Sequence, residues 1–414
     1  MHGTEQLRET NPRESAPPGK TDPGKTRLPW WIRKKPYRHW LKGALNGWFQ
    51  LRDRLALGFL RATGRNTVMA WHNKNAVAGS RFVVFATYPA GSQPPCHYRL
   101  LKAFEERGYC IIIVTNLADA VPARLGYDAH WPVLQRRPFG RDFGCYQDGM
   151  RAILDLAESG VAIERVVLLN DSFVTFPNSE GAIVSHLDDL ASDFSGLSEN
   201  FEIGYHVGSF ALAVGKRVVS HPAFVDFWRK YVPVSSRYHS ISAGEMGLSK
   251  TLREAGFLPS VLHDLPSAKA KLALLDLPGI RRLCRRLPAR FDREHTTLLQ
   301  AVDQFLDTRE IGECVARSDD LRDRLVHEIL AFVFRASPVH LGAVLAAQGP
   351  GALIKKDVVW RQATNPWDLR DMIRAADPGA STAEQDAIYS AIMARGHPYT
   401  LGTWRRALYE WSII

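Results

Sequence analysis

Residues 136–177 read RRPFGRDFGCYQDGMRAILDLAESGVAIERVVLLNDSFVTFP. The segment divides into loop, helix, strand and polar turn. Gly140-Arg141-Asp142-Phe143-Gly144 is a loop with two flexible points, and Asp142 is placed to cap the helix that follows. Met150, Ile153, Leu154 and Leu156 fall close to helical spacing, and Gly160 can end the helix. Arg165-Val166-Val167-Leu168-Leu169 is a short apolar run, the pattern of a buried parallel strand. It stops at three polar residues, Asn170-Asp171-Ser172. In open α/β sheets ligands bind at the carboxyl ends of the strands, so a carboxylate at this point is placed to meet a ligand or a metal.

Working outward, residues 81–87 (RFVVFAT) and 109–115 (YCIIIVT) predict strands, with a helix over 98–107 between them. Strand, helix and strand at this spacing form a βαβ unit. A third short strand is expected after the loop at 116–123. Residues 80–172 therefore predict a parallel sheet with helices, a nucleotide-binding type of architecture. Further on, the sequence predicts a helix over 183–190 and a polar loop over 192–204. A strand over 205–214 and a Pro222-led helix follow. A loop over 233–243 then leads to a helix that begins near Glu245 and ends at Gly256, before a last strand at 260–263. Residues 296–335 predict amphipathic helices. Gly349–Gly351 is a break, and residues 367–376 close the pattern as a helix.

The chain has 414 residues, 45% of them hydrophobic, enough for one large domain with appendages or two domains. Its five cysteines are scattered, with no CxxC, which argues for a reducing compartment and against a zinc or disulfide framework. The formal net charge is +10. Such a balance suits nucleic acid, an anionic membrane or an anionic substrate. No nucleic-acid motif accompanies it, and nucleic acid is not expected as a partner. No apolar run reaches the roughly 18 residues that span a bilayer, and the first residues lack the apolar core of a signal peptide. The expectation is a cytoplasmic protein.

Residues 1–28 are rich in Pro, Gly, Thr and charge and are expected to be disordered. Residues 29–65 form a basic, aromatic, helical segment. Trp30, Trp31, Trp40, Trp48, Phe49 and Leu51 stand among Arg33, Lys34, Lys35, Arg38 and Lys42. That composition suits a peripheral helix on the inner face of the plasma membrane, and equally a helix docked on the domain. Residues 78–268 are expected to be the core, and 269–414 a mostly helical extension packed on it. A second basic cluster at 281–293 reads as a solvated helix face.

GRDFGxYxDG followed by a strand ending LLNDS resembles the rhamnan synthesis F family of bacterial polysaccharide glycosyltransferases. His206-Val207-Gly208-Ser209-Phe210 is similar to the family's His-x-Gln-Ser-Tyr-Phe strand, with Gly208 where Gln is usual and no Tyr. Residues 224–228 (FVDFW) match its Phe-x-x-Phe-Trp helix. Glu245, with Gly256 downstream, resembles its Glu-led helix. Pro338, Lys355 and Lys356 resemble its C-terminal segment. The resemblance implies a GT-A-like, Rossmann-type nucleotide-sugar-binding domain. It implies transfer of rhamnose, from dTDP-rhamnose, to a cell-surface polysaccharide or lipid-linked glycan, with inversion.

Such a reaction needs a neutralised diphosphate, a base for the acceptor hydroxyl and an aligned donor. Asp171 is the candidate contact for a divalent cation (Mn²⁺ or Mg²⁺) or for ribose, with Asn170 and Ser172 as hydrogen-bond partners; the bland alternative is an Asx turn. Arg141 suits phosphate, helped by helix N–H donors. Asp142 suits the nucleoside or a cap, and Asp148, inside the helix, is singled out by the family match alone. Glu245 is the candidate base and His206 its rival. His263-Asp264 is a further candidate metal or phosphate contact. The single carboxylate of Asn170-Asp171-Ser172 also fits a non-catalytic sugar-nucleotide binder or scaffold of a polysaccharide assembly complex.

Overall fold

The computed structural model describes residues 35–88, 94–117, 122–201, 203–287, 289–308, 314–336, 349–396 and 400–410. Residues 1–28 and Pro338 lie outside them. A sheet organises the fold, with strands β1 (Val68–His72), β2 (Arg81–Thr87), β3 (Cys110–Thr115), β4 (Val133–Arg136) and β5 (Arg165–Asn170). Further along come the short β6 (Phe173–Thr175), then β7 (Phe194–Asn200), β8 (His206–Val207), β9 (Ala211–Gly215) and β10 (Ser260–His263). The strand order is β1-β4-β3-β2-β5-β9-β7-β10, with β8 against β7. The centre β4-β3-β2-β5 is parallel. β1, β8 and β9 join antiparallel. This is a mixed α/β protein with a parallel centre.

The run at β2 is apolar throughout because both sheet faces are covered. Phe82, Val84 and Ala86 enter one core, while Val83 and Phe85 enter the other. The helices that cover the two faces come from the crossovers between strands: α2 (Pro95–Glu105), α3 (Arg141–Glu158), α4 (Pro177–Leu187), α5 (Pro222–Lys230) and α6 (Met246–Glu254). A 28-residue helix α1 (Lys35–Ala62) precedes the sheet. Helices α7 (Leu265–Ala273), α8 (Leu277–Cys284), α9 (Thr296–Thr308) and α10 (Cys314–Ala336) build a separate helical core. The last part returns to the sheet. β11 (Leu353–Lys355) pairs antiparallel with β6, and helices α11 (Pro366–Ala376) and α12 (Thr382–Met393) pack with Cys96, Val174 and Phe176.

Four readings of the sequence change. The polar stretch at 192–204 contains the buried strand β7, because its polar groups are paired inside. Arg165 donates to Ser195 Oγ at 2.8 Å, and Glu199 accepts from the Leu265 N–H at 2.9 Å. The strand expected over 205–214 is broken into β8 and β9 by a turn at Gly208–Phe210. The third strand of the sheet is β4, some ten residues past the loop at 116–123. Asp142 caps nothing: the cap of α3 is Gly140, at φ 77°.

Candidate functional site

β5 lies beside β2, whereas the two crossovers before it step the other way to β3 and β4. The order of the parallel strands therefore reverses between β2 and β5, and a crevice opens there at their carboxyl ends. Asp171 is the first residue past β5 at this point. Its Oδ2 accepts from Thr87 Oγ1 at 3.0 Å and from the Tyr88 N–H at 2.8 Å. Its own N–H donates to the Ala86 carbonyl at 3.1 Å. The carboxylate is thus tied to the end of β2 through one oxygen, and none of the described residues donates to Oδ1.

Asn170 is buried behind it. Its Oδ1 accepts from the Ser172 N–H at 3.0 Å and from Ser172 Oγ at 2.5 Å, which fixes the orientation of the amide. Nδ2 then donates to Asp142 Oδ2 at 2.9 Å. The Asx turn is therefore real, but Asn170 makes it and leaves Asp171 to face the crevice. Burial raises the Asp142 carboxyl above its ordinary range, against the pull of Arg141.

Arg141 takes a positive φ of 51°. A non-glycine residue there costs about 1–2 kcal/mol. The Tyr88 hydroxyl holds the strained carbonyl at 2.6 Å. Gly140 cannot carry a side chain in its place, since a Cβ would fall 2.3 Å from Pro233 Cβ. The Arg141 guanidinium makes no ion pair among the described residues, and the residue lines the crevice.

That crevice is a cavity of 1020 Å³. Tyr88, Asn116, Arg141, Asp142, Asp171 and Ser172 line it from the strand ends. Lys356, Ser390 and Arg395 line it from the C-terminal segment. The pairing of β11 with β6 brings that wall in, and the Lys356 N–H donates to the Ser172 carbonyl at 2.8 Å. Lys355 Nζ donates to Ser172 Oγ and stands 4.0 Å from the Phe210 ring centroid. Burial pulls its ammonium down to about 8, opposed by Asp357, Asp142 and Glu245. Burial lowers Lys356 as well, and Asp171 is the first charge opposing it.

Glu245 and His206 come together beside this cavity, without lining it. Glu245 Oε1 accepts from Ser209 Oγ at 2.5 Å, and its Oε2 is 3.4 Å from His206 Nε2. His206 Nδ1 faces the Gly204 carbonyl at 2.8 Å and must carry hydrogen there. Burial would raise the Glu245 carboxyl, but His206, Ser209 and Arg237 together bring it below its ordinary range. The His206 side chain is 5% exposed and that of Glu245 25%, so Glu245 is the member that a solute can reach. Glu245 does not open a helix, as the sequence suggested. It ends a π-helical turn, Ser240–Glu245, that runs on into α6.

Asp148 stands apart from these groups. Its side chain is fully buried, with Arg136 Nε at 2.7 Å and Thr67 Oγ1 at 2.9 Å. It borders a different cavity, between α1 and α3. His263 is buried against the Gly351 carbonyl at 2.9 Å, and Asp264 caps α7 through the Ser267 N–H at 2.8 Å. His263 Nδ1 is buried without a partner, and neither residue lines the crevice.

A divalent cation needs about six oxygen ligands, and Mg²⁺ commonly takes one or two carboxylates with water and substrate phosphate for the rest. Among the described residues, the one convergent group of three metal-ligand side chains is Glu105, Asp128 and His130, outside this cavity. Lys102 and Trp131 already engage those carboxylates. The crevice offers Asp171 Oδ1 and the partly engaged Asp142. That donor set fits a cation carried in on a diphosphate and falls short of a closed protein cage.

The sequence marked Lys356 only through the family's C-terminal segment, and it marked nothing at Tyr88, Arg237 or Arg395. The Lys355-Lys356 pair was visible within ALIKKDVV, but nothing local marks it as returning to β6.

Fold and cavity together define an α/β protein with a crevice at the switch point of its sheet. The rhamnan synthesis protein F family model matches residues 111–276, a span that holds α3, β5 and Glu245. The motif resemblance is thereby borne out over that span. The chain is also similar to the uncharacterized protein y4gN of Sinorhizobium fredii (strain NBRC 101917 / NGR234). The two are 25% identical over 230 residues, 54% of this chain and 58% of that relative. The chain thus spans somewhat over half of the curated relative that it matches.

Proposed function

We propose that the chain is a GT-A-type glycosyltransferase. In this reading it moves rhamnose from dTDP-rhamnose to a bacterial cell-surface polysaccharide or lipid-linked glycan, with inversion, at the cytoplasmic face of the membrane. The observation that carries the reading is Asp171, half-tied at the switch point and facing a cavity edged by Arg141, Lys356 and Arg395. One carboxylate among several cations suits a nucleotide diphosphate: the carboxylate takes ribose hydroxyls or a cation, and the bases take the phosphates. Arg141 sits where the first N–H groups of α3 add to its charge. Asn170 and Ser172 hold the turn. Glu245 takes the proton of the acceptor hydroxyl, and His206 positions it. A divalent cation, when bound, would sit on Asp171 Oδ1 and add charge neutralisation of the leaving diphosphate.

Calorimetric titration with dTDP, UDP and GDP, with and without Mg²⁺ or Mn²⁺, tests the reading. Binding of one nucleotide is expected, weakened in Asp171→Ala by about 1.5–3 kcal/mol, or some ten- to a hundredfold. Unchanged binding by the folded variant would remove Asp171 from the site. Failure of every nucleotide to bind would favour the scaffold alternative.

The cations give a second expected result. Lys356→Ala weakens nucleoside diphosphate binding at least about tenfold, more than a chelator does on the wild type. A silent Lys356→Ala together with loss of binding in chelator would transfer that role to metal. A third concerns pH. Lys355 is charged below about 8, so diphosphate affinity is expected to fall as pH rises through that value. Lys355→Met should flatten the profile there.

A further inference from the structure

Helix α1 has two opposite faces. Asn46, Asp53, Leu57 and Leu60 turn to the domain. Asp53 is fully buried and its Oδ2 accepts from the Ser235 N–H at 2.7 Å; Asn46 Oδ1 accepts from Ser236 Oγ at 2.5 Å. Trp40, Ala44, Trp48, Leu51, Leu55 and Phe59 recur at intervals of three and four, and so share one stripe. At about 100° per residue its centre lies roughly 180° from the docked face. Trp48, Leu51, Leu55 and Phe59 are 54–65% exposed. Four large apolar side chains in a row are therefore left in water.

The charge of the helix points to the occupant. Residues 35–62 hold six Lys or Arg and one acid, Asp53. That one acid is buried, so the outward surface carries no carboxylate. Arg54 and Arg61 are exposed at one edge of the stripe; Arg52, at the other, is tied to Asp53 at 2.7 Å. A second copy of this helix would meet the same positive rim. An anionic bilayer matches both features: Trp, Leu and Phe enter the headgroup boundary, and the arginines stay at lipid phosphates.

We infer that the outer face of α1 is a membrane-surface site for anionic lipid. The helix lies flat rather than across, since no helix among the described residues is long and apolar enough to span. Its grip on Ser235 gives the site a second meaning. Ser235 also lines the 1020 Å³ cavity. Lipid contact through α1 therefore fixes the cavity mouth relative to the bilayer, beside a lipid-linked acceptor. This last clause rests on the transferase reading; lipid binding itself does not.

The test is vesicle co-sedimentation of the full chain, with phosphatidylcholine alone or mixed with phosphatidylglycerol. The wild type is expected to pellet with the anionic vesicles and to release as salt is raised. Trp48→Ser, Leu55→Ser and Phe59→Ser combined should cut partitioning at least about tenfold. Thermal unfolding and nucleotide titration of that variant should match the wild type, because the three side chains touch neither core nor cavity. A wild type that stays in the supernatant overturns the inference, as does a triple variant that binds equally. A dimer in analytical ultracentrifugation that the triple variant abolishes, without vesicle binding, would assign the face to a second copy instead. Loss of nucleotide binding with lipid binding intact would sink the transferase reading alone.

Discussion

Glu245→Gln is expected to lower kcat by about 10²–10⁴, the usual contribution of a positioned general base, with little change in donor affinity. The amide keeps the shape of the side chain and can still accept from Ser209, so the fold should survive. A carboxylate held below its ordinary range is fully ionised at neutral pH and ready to accept a proton. The same depression makes it a weak base, which is where His206 enters. His206, 3.4 Å away, is the first group that lowers the Glu245 carboxyl, and His206→Gln removes that stabilisation. The variant should lose less activity than Glu245→Gln, and its pH–rate profile should move to higher pH on the acidic limb. Equal activity of Glu245→Gln and wild type, with transfer otherwise established, would assign the proton to another group.

The largest expected effect on stability is that of Arg136→Met. Arg136 and Asp148 form an ion pair of 2.7 Å between two fully buried side chains, and Arg136 also donates to the Phe139 carbonyl at 2.6 Å. Removing Arg136 leaves the buried Asp148 carboxylate with Thr67 and, 3.7 Å away, the exposed Arg151, at a cost of about 3–5 kcal/mol. For a domain of this size the unfolding midpoint should fall by roughly 6–20 °C. The double variant Arg136→Met with Asp148→Leu should recover much of that loss, because it leaves no orphaned charge. A single variant as stable as the wild type would show that water reaches Asp148. The experiment also separates structure from chemistry within the motif. Asp148 is expected to change stability, and Asp171 nucleotide binding.

That separation marks how far the sequence could be read. The parallel centre was legible because β2, β3 and β5 are unbroken apolar runs, which only a sheet covered on both faces demands. The position of Asp171 followed from the abrupt end of β5. Asp148 could not be read correctly from a motif, since its burial depends on Arg136, twelve residues earlier, and on Thr67, eighty-one residues earlier. The glycines of the motif also gain their meaning from distant chain. A Cβ on Gly149 would fall 2.5 Å from Val84 Cγ1. β7 was hidden because its polar residues are paired by Arg165 and Leu265, and pairing of that kind leaves no trace in hydropathy. Arg395, and the place of Lys356 at the cavity, were hidden because strand pairing, not spacing, carries that segment there.

The return of β11 to β6 sets a timetable for the newly made protein. Lys355 reaches Ser172 across 183 residues of chain, and Arg395 is made later still. Ribosomes add about 5–20 residues per second. The sheet, complete at His263, can therefore assemble with Asp171 in place for roughly 5–20 seconds before Lys356 is made. During that interval the nascent chain has a crevice with its carboxylates but without Lys356 or Arg395. On the transferase reading, Arg141 is in place with the sheet, whereas the contacts of Lys356 and Arg395 to a diphosphate become available only when nearly all of the described chain has emerged.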